Sequence, residues 1–459
     1  MEDRREETEK RREQYKAVLR KSPLLYQTAR ELAPADADPA ETAAWFALAP
    51  ALGGFVRWLL AETLDAGHER LYFLARDGYF MYRAALVLCS RLGLPVDCRY
   101  LSLSRYSLRL PLFHLDRRGA LDAVCRGGVH VTLRKILRRA GLTPLEQQEV
   151  LRRLPLSLEP DADLSWSRLP QIRRALEGCG LFLERMDAHS RAALPGLKGY
   201  LLQEGLTEKV SAALVDSGWT GSLQDNLNRA LVHMGRRDGL EGYYWGLYEL
   251  PPGARCTDYH WYAFGPAGQL REKVYFNNCL FEAVYTAPHG MTLGYEKRDG
   301  RFIPRYGAWD PQRETLFRRL QDVFSVYIRR LAEEGLTGDP AGGRDRETVC
   351  KLLSLFMGFP TKGEALAFGG LPFSDDVLEG EERPLAARLT EGDFSAHRPL
   401  RKLLAMGGFG RASIPESAWF EGSAVLYARR PARRLRQHTV YKYMRYIRKA
   451  RQYKRGKDL

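Results

Sequence analysis

Two stretches decide the fold: LYFLARDG, residues 71–78, and ALVDSGWTGS, residues 213–222. Each is a short apolar run that ends in a charged or Gly-rich turn, the signature of a buried strand. After the first, a helical pattern runs from Tyr79 to Leu92 and stops at Gly93, with Pro95 just beyond. Val96 to Leu103 then alternates and is rich in β-formers. Strand, turn, helix and strand in about 35 residues make a βαβ unit, which implies parallel strands. After the second stretch, Leu223, Leu227, Ala230 and Leu231 recur at helical spacing. Leu240 to Tyr248 reads as another strand.

Working outward, the expected fold is α/β, with a Rossmann-like, mostly parallel sheet built from residues 61–115 and 206–300. Residues 116–205, Leu/Arg-rich at helical spacing, read as a helical insertion. An N-terminal helical region (1–60), a C-terminal helical region (301–426) and a basic tail (427–459) flank the core. The longest uncharged stretch, Thr42 to Val56, has 15 residues and is broken by Pro50 and Gly53-Gly54. It is shorter than the roughly 20 residues of a spanning helix, so a buried helix pair is expected.

Composition bounds the rest. A chain of 459 residues allows two or three domains, and 45% hydrophobic with 11% aromatic residues excludes wholesale disorder. Lys+Arg 71 against Asp+Glu 56 leaves +15, which favours an anionic partner: nucleic acid, an anionic membrane or a phosphate-bearing substrate. Seven cysteines without a CxxC pair indicate neither a disulfide framework nor a zinc ribbon, so a cytoplasmic location is expected. The charged first 21 residues do not read as a signal peptide.

In a parallel α/β sheet, ligands bind outside the carboxyl ends of the strands, and both turns fall on that edge. Gly218 and Gly221 let the backbone approach a ligand; with Ser217, Trp219, Thr220 and Ser222 they form a turn of forward-facing N–H groups, a phosphate cradle. Asp216, expected at the strand end, suits sugar hydroxyls or a metal. Arg76 offers a guanidinium to a second phosphate, Asp77 offers a carboxylate to Mg²⁺, and Gly78 opens the next helix. Arg105 could hold pyrophosphate or acceptor, its plain alternative being a surface arginine. Glu282 and His289 could line an acceptor pocket or act as a base; a hydrogen-bonded structural histidine is the plain alternative for His289. Asp161-Ala162-Asp163 imitates a phosphatase nucleophile motif, but no clean apolar strand precedes it, so it reads as a loop or helix cap.

These residues carry a resemblance. A strand ending in an arginine loop, then a strand, an acid and Thr-Gly-Ser opening a helix, resembles the type I phosphoribosyltransferases. The resemblance implies a sheet of phosphoribosyltransferase type. It also implies a first loop on the pyrophosphate of phosphoribosyl pyrophosphate (PRPP), a second on the 5-phosphate, and Mg²⁺ as cofactor. That family usually has two adjacent acids in the second loop; here Ser217 follows Asp216, and Asp77 would supply the missing carboxylate. The blocks FLARDGYF, YLSLSRYSL, LVDSGWTGSLQ and FEAVYTAPHGMTLGY resemble, over about residues 45–300, polysaccharide-cluster proteins found beside haloacid-dehalogenase phosphatases. Those proteins are taken to transfer 5-phosphoribofuranose from PRPP to a glycan. The resemblance implies Asp77, Asp216 and Glu282 as catalytic residues, Asp77 at the metal, and donor contacts from Arg76 to Gly78, Arg105 and Asp216 to Ser222. For the general base, Asp77 is the first choice and Glu282 the second. Glu282 and His289 would meet the acceptor. A non-catalytic scaffold and a phosphatase of the neighbouring kind are the alternatives.

The tail from Tyr427 carries 13 Lys/Arg and one acid. Such a stretch can bind nucleic acid, and its stripe of Val440, Tyr443, Met444 and Ile447 also suits a helix on an anionic membrane. A solvated helix or disordered tail is the plain alternative. The polysaccharide resemblance favours peripheral attachment to the inner face of the membrane, a glycan acceptor, lipid-linked or free, and a phosphatase partner. Nucleic acid is then not expected.

Overall fold

The computed structural model describes residues 2–127, 131–156, 159–336, 343–374, 378, 382–399, 402 and 415–455. Its centre is the predicted βαβ unit. Strand β1 (Arg70–Leu74) is buried along its whole length, as a strand covered on both faces must be. The helix Gly78–Leu92 follows and ends at Gly93 in the left-handed conformation, φ 62°. Strand β2 (Asp97–Leu101) then pairs parallel to β1, Leu71 opposite Cys98. Strands β3 (Ala212–Trp219), β4 (Glu241–Leu247) and β5 (Tyr259–Phe264) complete an all-parallel sheet in the order β2-β1-β3-β4-β5. The order reverses between β1 and β3, and such a switch point opens a crevice at the carboxyl edge.

Alternation along the strands separates two cores. Leu71, Phe73, Ala213, Val215, Tyr243 and Trp245 face one cluster. It also takes in the helices Pro39–Asp65 and Glu314–Glu333, so the first and last thirds of the chain share it. Tyr72, Leu74 and Leu214 face the other, under the helix Ser222–His233 and the end of the helix Gly180–Gln203. A third cluster lies within residues 110–186 and includes Leu121, Ile136, Val150 and Ile172.

Three expectations change. The stretch 42–56 is not a helix pair but part of one continuous helix, Pro39–Asp65. Its π turn at Ala44–Leu48 precedes Pro50, which lacks the N–H an ordinary α turn requires. This helix is long and apolar enough to cross a membrane, yet its most apolar window is wholly buried inside the protein. A β-carbon at Gly53 would lie 2.6 Å from Leu331 Cδ2, so the glycine serves close helix packing. Second, β3 does not stop at Val215 but runs to Trp219, pairing Gly218 with Gly246. Asp216 therefore lies within the strand. Third, Gly300 is no domain boundary: Asp299 and Gly300, both at positive φ, turn a hairpin of β6 (Thr292–Arg298) and β7 (Arg301–Tyr306). None of the seven cysteines, all among the described residues, forms a disulfide.

Candidate active site

The first turn leaves β1 through Ala75, whose N–H bonds Leu101 O on β2 (3.0 Å), and a cis Ala75–Arg76 peptide. Asp77 precedes the helix Gly78–Leu92 but its side chain does not cap it. The carboxylate instead accepts a hydrogen bond from Ser217 Oγ at 2.5 Å. Ser217 is a buried β3 residue 140 positions from Asp77, so this bond joins the two predicted turns across the switch point.

Three carboxyls converge there. Burial pushes the Asp216 carboxyl up to about 7, and the neighbouring Asp77 adds to the rise. The N–H groups of Ser217 and Gly218 and the Arg105 guanidinium oppose it. Burial also raises Asp77, against the Ser217 hydrogen bond and the charges of Arg76 and Arg105. Glu282 is pushed up to about 8 by burial and then by Asp77, with Arg105, Trp219 and Arg76 opposing. Glu282 lies on the helix Asn278–Val284, whose Leu280, Phe281 and Val284 are buried. Trp219 Nε1 donates to its Oε1 at 2.5 Å. Such a constellation holds protons near neutral pH and is where acid–base chemistry is expected.

Arg105 starts a short helix, Arg105–Arg109, capped by Ser104, three residues beyond the end of β2. It is exposed, yet its charge reaches all three acids. Arg109, one turn on and on the same face, was not foreseen. Burial, and then the positive charges of Arg126 and Arg105, together lower it to about 10, with Asp225 opposing. Sequence offered one signal for it: the i, i+4 spacing from Arg105. A gathering of guanidiniums beside the Gly-rich turn suits a polyanionic ligand.

The Gly-rich turn carries its own constraints. Gly221 precedes the helix Ser222–His233 at φ 60°, and a β-carbon there would meet Tyr259 Cε1 at 2.5 Å. At Gly218, φ 111°, it would meet Gly246 O at 2.5 Å. Both glycines are thus required by packing on β4 and β5. Thr220 donates its hydroxyl to Ser222 Oγ at 3.1 Å, linking the two expected phosphate donors to each other.

His289 lies at the rim. Its Nδ1–H donates to Gly290 O (2.8 Å), which leaves Nε2 to accept from Tyr100 Oη (2.9 Å); the ring stacks on Tyr306 at 4.0 Å. This geometry matches the hydrogen-bonded structural histidine. Tyr100 connects it to the site, since Asp77 and Arg76 both act on the tyrosine. Asp161 is remote: it forms a two-pronged ion pair with Arg134 on the surface, at 2.6 and 2.9 Å.

No protein-family model and no curated protein sequence matches the chain. The described residues hold no group of three or more His, Cys, Asp or Glu side chains able to cage a metal ion. The donor set nevertheless fits Mg²⁺, which takes hard oxygens from one or two carboxylates and draws the rest from phosphate and water. Asp77 and Asp216 are such oxygens.

Proposed function

We propose that the chain is a PRPP-dependent phosphoribosyltransferase that acts as a glycosyltransferase, on a sheet of phosphoribosyltransferase type. The acceptor is a sugar hydroxyl of a growing polysaccharide. The observation that carries this reading is the convergence of Asp77, Asp216 and Glu282 with Arg76 and Arg105 at the β1/β3 switch point. Acids flanked by guanidiniums match a donor that combines ribose hydroxyls with phosphates.

In this reaction the acceptor oxygen bonds to C1 of the ribose. The bond from C1 to the pyrophosphate oxygen breaks, and its electron pair leaves with pyrophosphate. Asp216 accepts hydrogen bonds from the ribose hydroxyls, and Arg76 and Arg105 bind the pyrophosphate. Asp77 and the donor would hold Mg²⁺, which when bound would supply charge that offsets the leaving group. Of the two candidate bases, Asp77 and Glu282, the geometry favours Glu282. Its carboxyl is pushed up to about 8, its Oε1 is held by Trp219, and Asp77 is committed to Ser217 and the metal. Glu282 takes the acceptor proton only when ionised, so turnover rises with pH through about 8.

Calorimetric titration with PRPP, with and without Mg²⁺, tests the reading. Ribose 5-phosphate and nucleotide sugars are the controls. Mg²⁺-dependent binding of PRPP in preference to both controls is expected. A chain that binds no PRPP is not this enzyme, and a scaffold role then accounts better for it.

A further inference from the structure

The helix Pro431–Arg455 is docked, not free. Tyr441 is 2% exposed, and Lys442 Nζ donates to Phe276 O and pairs with Glu421 Oε1, both at 3.2 Å. His438 stacks on Phe420 at 4.1 Å. The opposite face looks outward. Val440, Met444 and Ile447 are 50%, 40% and 36% exposed, and Arg433, Arg436, Arg448 and Arg451 are exposed around them. At about 100° per residue all seven fall within roughly 120° of the helix circumference, over about 27 Å of its length. An apolar strip framed by arginines, with the inner face already occupied by protein, complements a surface that is both apolar and negatively charged.

The helix also touches the site. Tyr446 stacks flat on Tyr248 at 5.3 Å, Tyr248 lies 6.0 Å from Trp219, and Trp219 donates to Glu282. Lys449 pairs with Glu249, just beyond the carboxyl end of β4. Tyr446 and Lys449 belong to the inner face, so the helix lies between the outward face and the carboxyl edge of the sheet.

We infer that the outward face of this helix seats the protein on an anionic lipid bilayer, with the helix itself between the bilayer and the candidate site. Acidic headgroups pair with the arginines while Val440, Met444 and Ile447 enter the boundary of the acyl chains. With the transferase reading above, on which this clause alone rests, the acceptor is a glycan anchored in that bilayer.

The test is co-sedimentation of the full chain, without substrate, with phosphatidylcholine vesicles and with vesicles containing phosphatidylglycerol. It uses two combined variants: Val440→Ser with Met444→Ser and Ile447→Ser, and Arg433→Glu with Arg436→Glu, Arg448→Glu and Arg451→Glu. Wild type should bind only the anionic vesicles, and binding should fall as salt rises. Each variant should keep the wild-type melting temperature and lose roughly 10-fold or more in partitioning. Folded variants that sediment like wild type overturn the inference. So does wild-type binding that is absent or indifferent to salt, a measurement that needs no variant. Tighter binding to an RNA oligonucleotide than to anionic vesicles at equal salt would make the face a nucleic-acid surface instead. No outcome depends on PRPP, so failure here leaves the transferase reading to its own test.

Discussion

Asp216→Asn should stabilise the protein at alkaline pH while impairing its chemistry. The carboxyl is raised from the usual 3.8 to about 7, because the fold buries it beside Asp77. A carboxyl raised on folding favours the native state only while protonated. Its contribution is fully present below the unfolded value and is lost as pH rises through the folded one. Above pH 7 the ionised group costs about 4 kcal/mol relative to the unfolded chain, at about 1.4 kcal/mol per pH unit. Part of that cost is shared with Asp77, so removing one charge should recover about 2 kcal/mol. Asparagine keeps the shape, and its amide oxygen can accept the same N–H groups of Ser217 and Gly218. The assay is thermal unfolding of both proteins at pH 5 and pH 8. The variant should melt higher at pH 8, with the gain shrinking towards pH 5. Transfer should fall roughly 10- to 100-fold, because a hydrogen bond from a ribose hydroxyl to a charged group is worth about 1.5–3 kcal/mol. A variant no more stable than wild type at pH 8 would refute the crowding of the carboxyls. Unchanged transfer by the folded variant would refute the donor role.

Ser217→Ala removes the hydroxyl that holds Asp77 down, so Asp77 should take up its proton at higher pH, and the Glu282 limb of a pH–rate profile, which the Asp77 charge holds up, should move towards acid; an unmoved profile separates Asp77 from the chemistry. Gly221→Val places a side chain on Tyr259 at positive φ and should lower the melting temperature, whereas Thr220→Val should alter donor binding with little change in melting; equal melting for Gly221→Val and wild type would remove the packing account of that glycine. Arg109→Gln should raise the KM for a phosphorylated donor several-fold and leave kcat near wild type, and steady-state kinetics with an unchanged KM would exclude Arg109 from the donor site. Truncation after Arg430 should lower the melting temperature, since Tyr441 and Lys442 lose their places in the fold; unchanged melting would mean that the helix is not docked.

The parallel sheet was legible because its strands carry local signals. β1 is a short apolar run closed by Arg-Asp-Gly, and the next helix ends at Gly93, the stop read from the sequence, which adopts the left-handed conformation. What local reading could not supply was the extent of β3. A strand through Ser-Gly-Trp is unfavourable by propensity, and it forms because Gly218 and Trp219 pair with Gly246 and Leu247 of a neighbour defined only by the fold. Strand β5 and the 299–300 hairpin were missed, although YHWYAF and an Asp-Gly pair were present to signal them. For the helix 39–65, Pro50 and the glycine pair argued for a break. Tertiary packing removed that argument, since the glycines accept Leu331 and Tyr262 where larger side chains would clash.

The site divides in the same way. Asp77, Asp216 and Glu282 could each be named from a short motif, but their significance lies in their mutual distance, which no motif encodes. The Ser217 to Asp77 bond spans 140 residues, and only the adjacency of β1 and β3 creates it. That bond also gives meaning to the departure from a pair of adjacent acids. Two neighbouring residues on one strand point to opposite faces of the sheet. At this switch point the second carboxylate comes instead from the adjoining turn, and the position after Asp216 is filled by a hydroxyl that orients it. On the proposed transferase reading, the serine there is the donor that fixes Asp77 rather than a lost acid. Ser217→Asp would place a further carboxylate against Asp77 and should disable the site rather than restore it.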